Sequence, residues 1–193
     1  MGAVAIDEPS PKQRDKRRRI IEAAREVLAR DGLAGCTARA VADASPLTKS
    51  AIHYYFEDID EIIDRAMAAH VDAMLVSLRE VAGRHEDPGE RLWAVLWAYL
   101  ATFAERPHAA YLWFEYWVAA GRRGSTGAAE AQLDKMRALL AELLAGQVAD
   151  REAAARALLS WLLGSIVQQQ VRPRAEAELR AEAARLLATG GEC

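Results

Sequence analysis

The stretch "TARAVADASPLTKSAIHYYF", residues 37–56, decides the fold. Two short runs with helical spacing, about 38–44 and 49–55, flank the turn Ser-Pro-Leu. Each run follows a threonine, Thr37 or Thr48, placed to cap it. Pro46 biases Ser45 out of the helical region and so ends the first run. In the second run, Ile52 and Phe56 stand at i and i+4 and form one inward stripe. Lys49, Ser50, His53, Tyr54 and Tyr55 fall on the remaining arc. Two short helices joined this way form a helix-turn-helix, whose second helix enters the major groove while the first crosses the backbone. The residue types suit that surface: lysine for guanine or phosphate, serine for base edges, tyrosine for phosphate oxygens or the thymine methyl. The plainer alternative is a small solvated helix whose tyrosines cover a domain junction.

Charge points the same way. The formal net charge is −3, which on average argues against nucleic acid. Its distribution reverses the argument. Residues 10–56 hold ten bases against five acids, and residues 57–193 hold fifteen against twenty-one. A basic head on an acidic body is an electrostatic footprint. The run "KQRDKRRR", residues 12–19, reads as a basic arm, with Lys12, Arg14, Lys16 and Arg17 able to reach flanking phosphates or a minor groove.

Outward from the motif, almost every segment has helical period, with no β-branched alternation and no hairpin dipeptide. A first helix is expected over about 12–31, with an apolar line of Ile20, Ile21, Ala24, Val27 and Leu28 and a stop at Asp31-Gly32. Beyond the motif, helices are expected at about 58–82, 89–105, 107–121, 128–146, 150–171 and 174–188. The class is all-α with about nine helices. A three-helix DNA-binding head, residues 1–57, precedes a helical ligand-binding and dimerisation body, residues 58–193.

Several classes are excluded. No apolar run reaches the ~18 residues a membrane span needs, so no membrane partner is expected. The N-terminus lacks the cationic start and apolar stretch of a secretory signal, and Ile6 breaks a myristoylation pattern at Gly2. The cysteines, Cys36 and Cys193, support neither a disulfide framework nor a zinc cluster, which fits a reducing cytoplasm. Glu105-x-x-His108 has di-iron spacing, but no second such pair exists. His53 and Glu57 could share a metal, yet His53 lies in the recognition helix. No phosphate loop, nucleophile elbow or Cys–His pair occurs. No catalysis, cofactor or metal is expected.

Residues 17–63, "RRRIIEAAREVLARDGLAGCTARAVADASPLTKSAIHYYFEDIDEII", resemble the N-terminal domain of TetR-type (tetracycline-repressor-like) transcriptional regulators. Matching positions are Ile20, Ile21, Ala23, Ala24, Gly32, Thr37, Val41, Ala42, Lys49, Ile52, Tyr55 and Phe56. The resemblance implies a phosphate contact from Thr37 and a DNA face holding Arg39 and Lys49. It further implies that Ser50, His53 and Tyr54 read bases or position the helix, and that Tyr55 meets the backbone. Pro46 stands where the family usually has glycine, so the turn must take another path. Ile59 stands where it often has a phosphate-binding lysine.

In the body, the run 150–171 is apolar around more than half its circumference and needs partners on two sides. Ser160 and Gly164 are small and four apart. The resemblance implies a homodimer through the last two helices, here through Leu158, Trp161, Leu162, Gly164, Ser165, Leu179 and Leu186. Nine aromatics fall within residues 93–117, the region that in the family lines a small-molecule pocket. The expected ligand residues are Trp93, Trp97, Phe103, Tyr111, Trp113, Phe114, Glu115 and Trp117. The effector is expected to be apolar, aromatic or cationic, with Glu115 as a cation's partner if it faces inward. Together these features predict a homodimeric repressor on double-stranded operator DNA. The competing classes are a helical small-molecule carrier without DNA function and a sequence-independent DNA binder.

Overall fold

The N-terminal basic run is helix. In the computed structural model, which describes residues 10–189 apart from the side chains of Lys49, Pro107 and Thr189, α1 spans Pro11–Gly35. Ser10 caps it. Its hydroxyl accepts the Gln13 amide at 3.3 Å, and its own amide donates to the Gln13 side chain at 2.7 Å. This reciprocal box satisfies two of the donors a helix start leaves open. Pro11 supplies a preset φ in the first turn. The expected stop at Asp31-Gly32 is a kink: Gly32 takes φ 72°, a conformation in which a side chain is strained, and one further turn follows.

Eight more helices are present among the described residues: α2 (Ala38–Ala44), α3 (Lys49–Tyr55), α4 (Ile59–Ala82), α5 (Pro88–Glu105), α6 (Pro107–Arg123), α7 (Gly127–Leu143), α8 (Arg151–Val171) and α9 (Glu176–Thr189). The described residues contain no strand. α7 stops short of the expected 146 because Leu144–Gly146 turn and Gly146 takes φ 75°. α9 begins at Glu176 rather than 174, since the Arg174 amide is bound by the Gln169 side chain at 2.7 Å.

The chain divides into two compact units, one ending at Ala69 and the next beginning at His70. In the first, Ile20, Ala24 and Val27 of α1 are buried with Val41 of α2, Ile52 of α3, Phe56, and Ile62 and Ala66 of α4. The buried positions of α1 repeat at i, i+4 and i+7, one helix face. In the second, α5 packs on α6, α7 and α8, and α8 packs on α7 and α9. Leu96, Tyr116, Leu139, Leu140, Leu144, Leu158, Leu162 and Leu179 are its fully enclosed large side chains. α8 therefore lacks a single apolar stripe because its own chain covers it on several sides.

Candidate nucleic-acid interface and buried chamber

α3 is held from one side and open on the other. Ile52 is 1% exposed and Phe56 3%, burial worth about 1.5–3 kcal/mol for each side chain. On the opposite side Ser50 and His53 are exposed, and Tyr54 is 73% exposed. A large aromatic left that open is notable because nothing in the head needs it for packing. Tyr55 is half-buried and meets the Tyr54 ring edge-on, with centroids 5.0 Å apart. The Lys16 ammonium lies 5.8 Å from the Tyr55 ring. The side chain of Lys49 lies outside the described residues.

Both threonine caps form. Thr37 Oγ1 accepts the Ala40 amide at 3.1 Å, and Thr48 Oγ1 accepts the Ala51 amide at 3.3 Å. Each hydroxyl keeps its proton to donate, the form a phosphate oxygen takes. Arg39 is exposed, 4.0 Å from Asp43, a spacing at which an exposed ion pair holds the side chain weakly. The turn follows a path that proline permits. Ser45 is extended at φ −115°, ψ 158°, and its hydroxyl oxygen accepts the Leu47 amide at 3.2 Å. No non-glycine residue takes positive φ among the described residues, so Pro46 replaces the usual glycine without strain.

The basic run divides into two kinds. Lys12 and Arg14 are exposed on the first turns of α1. Arg17 is occupied: it donates to Glu61 Oε1 at 3.1 Å, and its guanidinium lies 4.8 Å from the Phe56 ring centroid. Glu61 also accepts from Arg65 at 2.9 Å and from the Glu57 amide at 3.0 Å. Arg17 thus ties α1 to the start of α4 in the free chain.

The second unit holds a small chamber. Val71 and Met74 of α4, Tyr99 of α5, and Trp113 and Trp117 of α6 form part of its wall; Gln132, Leu133 and Met136 of α7 and Leu159 of α8 complete it. Its free volume is about 20 Å³, room for one water-sized molecule. Gln132 is 3% exposed and donates through Nε2 to the Tyr116 hydroxyl at 3.3 Å. Its Oε1 and the Trp117 Nε1–H are buried with no protein partner. Burial holds the Tyr99 phenol well above the ordinary tyrosine range, because an enclosed apolar site disfavours the phenolate.

Of the expected ligand residues, Trp113 and Trp117 line this chamber and six do not. Trp93 donates Nε1 to Glu176 at 3.1 Å, stacks on Trp97 at 6.2 Å and lies under Arg180, so Trp93 fastens α5 to α9. Phe103 is buried edge-on against Tyr99 at 5.1 Å. Phe114 backs Trp117 at 5.5 Å. Tyr111 and Glu115 are exposed; Glu115 faces water, which removes the carboxylate expected for a cation. Sequence reasoning missed Tyr99 as a wall residue and missed Gln132. The signal for Gln132 was there: it is the one polar residue in the α7 stripe Ala129, Gln132, Met136, Leu139, Leu140, all buried.

The expected dimer residues separate by burial. Leu158, Leu162, Ser165 and Leu179 are enclosed by their own chain and have no surface for a partner. Trp161, Gly164 and Leu186 are half-buried, and Val167 and Val171 on α8 are exposed, Val171 by 85%. A Cβ on Gly164 would meet only the mobile end of Gln168, at 3.9 Å.

Three comparisons place this chain among known proteins. Residues 20–66 match the family model "Bacterial regulatory proteins, tetR family". The chain is 28% identical over 109 residues to the HTH-type transcriptional regulator PksA of Bacillus subtilis, covering 55% of this chain and 53% of PksA. It is 28% identical over 91 residues to the HTH-type nicotine-responsive transcriptional repressor HdnoR of Paenarthrobacter nicotinovorans, covering 46% and 47%. It thus spans about half the length of the curated relatives it matches. A transcriptional regulator from Rhodococcus sp. Rha1 shares the fold, with TM-score 0.71 and 24% identity over 92% of this chain and 98% of that one.

Proposed function

We propose that this chain is a TetR-type bacterial regulatory protein, as its match over residues 20–66 supports, and that it is a cytoplasmic, homodimeric transcriptional repressor released from a palindromic operator by a small ligand. The observation that carries the DNA role is α3: its inner face is locked into the head core while Ser50, His53 and Tyr54 stand open beside two capping threonines. A side chain free of packing duty is available to read a base edge. Lys12 and Arg14 add sequence-independent phosphate contacts.

A two-fold operator calls for two recognition helices about one helical turn, ~34 Å, apart. The half-buried and exposed residues Trp161, Gly164, Val167, Val171 and Leu186 are the face on α8 and α9 through which a second copy would dock. The ligand would bind in the chamber walled by Trp113, Trp117 and Gln132. α4 contributes Ile62 and Ala66 to the head core and Val71 and Met74 to the chamber. A ligand that binds one arrangement of the chamber more tightly therefore has a covalent route to the head, and shifts the population of DNA-competent dimer. Among the described residues no helix is long and apolar enough to cross a membrane.

Selection of bound DNA from a random pool tests the reading. A recovered palindrome is the expected result. Unenriched binding would leave a sequence-independent DNA binder, and no binding would leave a helical small-molecule-binding protein with no sequence-specific DNA role.

A further inference from the structure

Two residues of the chamber wall, Trp117 and Gln132, each carry a buried polar atom that packing does not explain. Trp117 Nε1–H is a buried donor and Gln132 Oε1 a buried acceptor, each without a protein partner. Leaving such a group unpaired costs free energy, so native proteins nearly always pair them with protein, water or ligand. The other lining side chains are apolar, aromatic or thioether, with the Tyr99 hydroxyl and the Trp113 indole N–H as their hydrogen-bonding groups, and no charged side chain is among them. A permanent ion enclosed there would have no counter-charge, and burying one unpaired is far more costly than burying a neutral polar group.

We infer that the effector of this chamber is a neutral, flat, mainly apolar molecule that carries one hydrogen-bond acceptor for Trp117 Nε1–H and one donor for Gln132, as a lactam or secondary amide does. The inference rests on the reading of the chamber as the effector site and names the class of molecule that site takes. Aromatic faces of Trp113 and Trp117, with ring centroids 5.6 Å apart, supply the flat contact. The free volume admits no such molecule without movement, and the adaptable wall is Met74 and Met136, unbranched side chains that change rotamer at small cost. A buried water molecule could meet the same two atoms, and the test separates the two cases.

The test uses four bicyclic probes of similar size on the full chain, with affinities from ligand-observed NMR. Quinolin-2(1H)-one has donor and acceptor, its N-methyl derivative only the acceptor, naphthalene neither, and N-methylquinolinium a fixed positive charge. Quinolin-2(1H)-one is expected to bind at least about tenfold more tightly than each of the others, the usual penalty for leaving a built polar site unpaired. Gln132→Leu and Trp117→Phe should each shrink that preference towards unity. The series on the unaltered protein stands even if a variant folds poorly. Equal binding of all four probes, tightest binding of the cation, or binding of none would overturn the inference; equal binding is the outcome expected if the two atoms serve only water. The DNA selection reads a different property. Its failure would sink the regulatory role without touching the probe series, and a flat probe series would leave the regulatory role standing.

Discussion

The head and the body put their polarity in opposite places. In the head, the candidate contacts stand outside: His53 and Tyr54 face solvent while Ile52 and Phe56 hold the helix from behind. In the body, the candidate contacts are walls: Trp113, Trp117 and Gln132 pack the unit and line its chamber at once. Separating support from contact lets each head residue be changed for one purpose. Combining them in the body means any change in ligand contact also changes packing.

The largest expected effect breaks this separation in the head from the supporting side. Ile52→Ala removes a fully enclosed side chain and should cost about 2–5 kcal/mol of head stability, seen as lost hydrogen-exchange protection of α1–α3 amides. Tyr54→Ala, two residues away, should leave that protection unchanged, since exposed positions move stability by less than about 0.5 kcal/mol. It should instead weaken operator binding by about 1–3 kcal/mol and relax preference at one base position in a repeated selection. Unchanged affinity and unchanged sequence would remove Tyr54 from the contact face.

Next in size is a test of whether α8 offers an outer contact of its own. Gly164 has open space within its chain, so Gly164→Leu should cost the single subunit little. If a partner helix approaches there, the added bulk should weaken the dimer by about 1–3 kcal/mol, with sedimentation showing monomer and operator binding falling in parallel. Gly164→Ala sharpens the result. In a lone helix it should stabilise by about 0.5–1 kcal/mol; across a close interface it should not. An unaltered protein that is monomeric at micromolar concentration would end the dimer proposal.

How far the sequence could be read follows from the same contrast. The head was legible because cap, turn and stripe signals are local: Thr37, Ser45-Pro46, Thr48, Ile52 and Phe56 all act within one or two helical turns. Helix ends governed by distant or side-chain partners were less so, as with Arg174, whose amide is taken by Gln169. Arg17 looks like its basic neighbours because nothing local distinguishes it; its partner Glu61 stands forty-four residues on. In the body, aromatic density marked the right region but not the right residues. Trp93 and Trp113 have the same composition signal. Only the packing of α9 through Glu176 separates a fastening tryptophan from a wall tryptophan.

The exposed bases give a smaller and more uniform effect. Lys12→Ala and Arg14→Ala should each lower the slope of log affinity against log salt by about 0.9 on duplex DNA if each contacts one phosphate. Neither should change the selected sequence. Substitution is cleaner than truncation, because removing residues 1–16 would also remove the Ser10–Gln13 cap. A changed base preference in Lys12→Ala would place that side chain in a groove instead of on the backbone.

The smallest effect concerns a charge that holds α8 to α9. Glu182 accepts from Trp161 Nε1 at 3.2 Å and from Arg174 at 2.5 and 2.6 Å. The Trp161 hydrogen bond first, and the Arg174 guanidinium after it, hold its carboxyl below the ordinary glutamate value of 4.5. The folded chain therefore binds a proton at Glu182 less readily than the unfolded chain does. The resulting stability is fully present above the unfolded value and is lost as pH falls through the folded one. The Glu182 side chain is 33% exposed, so solvent screening keeps the contribution below about 1 kcal/mol. Melting temperatures of the unaltered protein and Glu182→Gln, taken from pH 7 downward, should differ most at pH 7, begin to converge near pH 4.5 and meet only once the pH has passed the lowered folded value. A gap that stays constant across that range would mean that the glutamine lost shape or hydrogen bonding rather than charge.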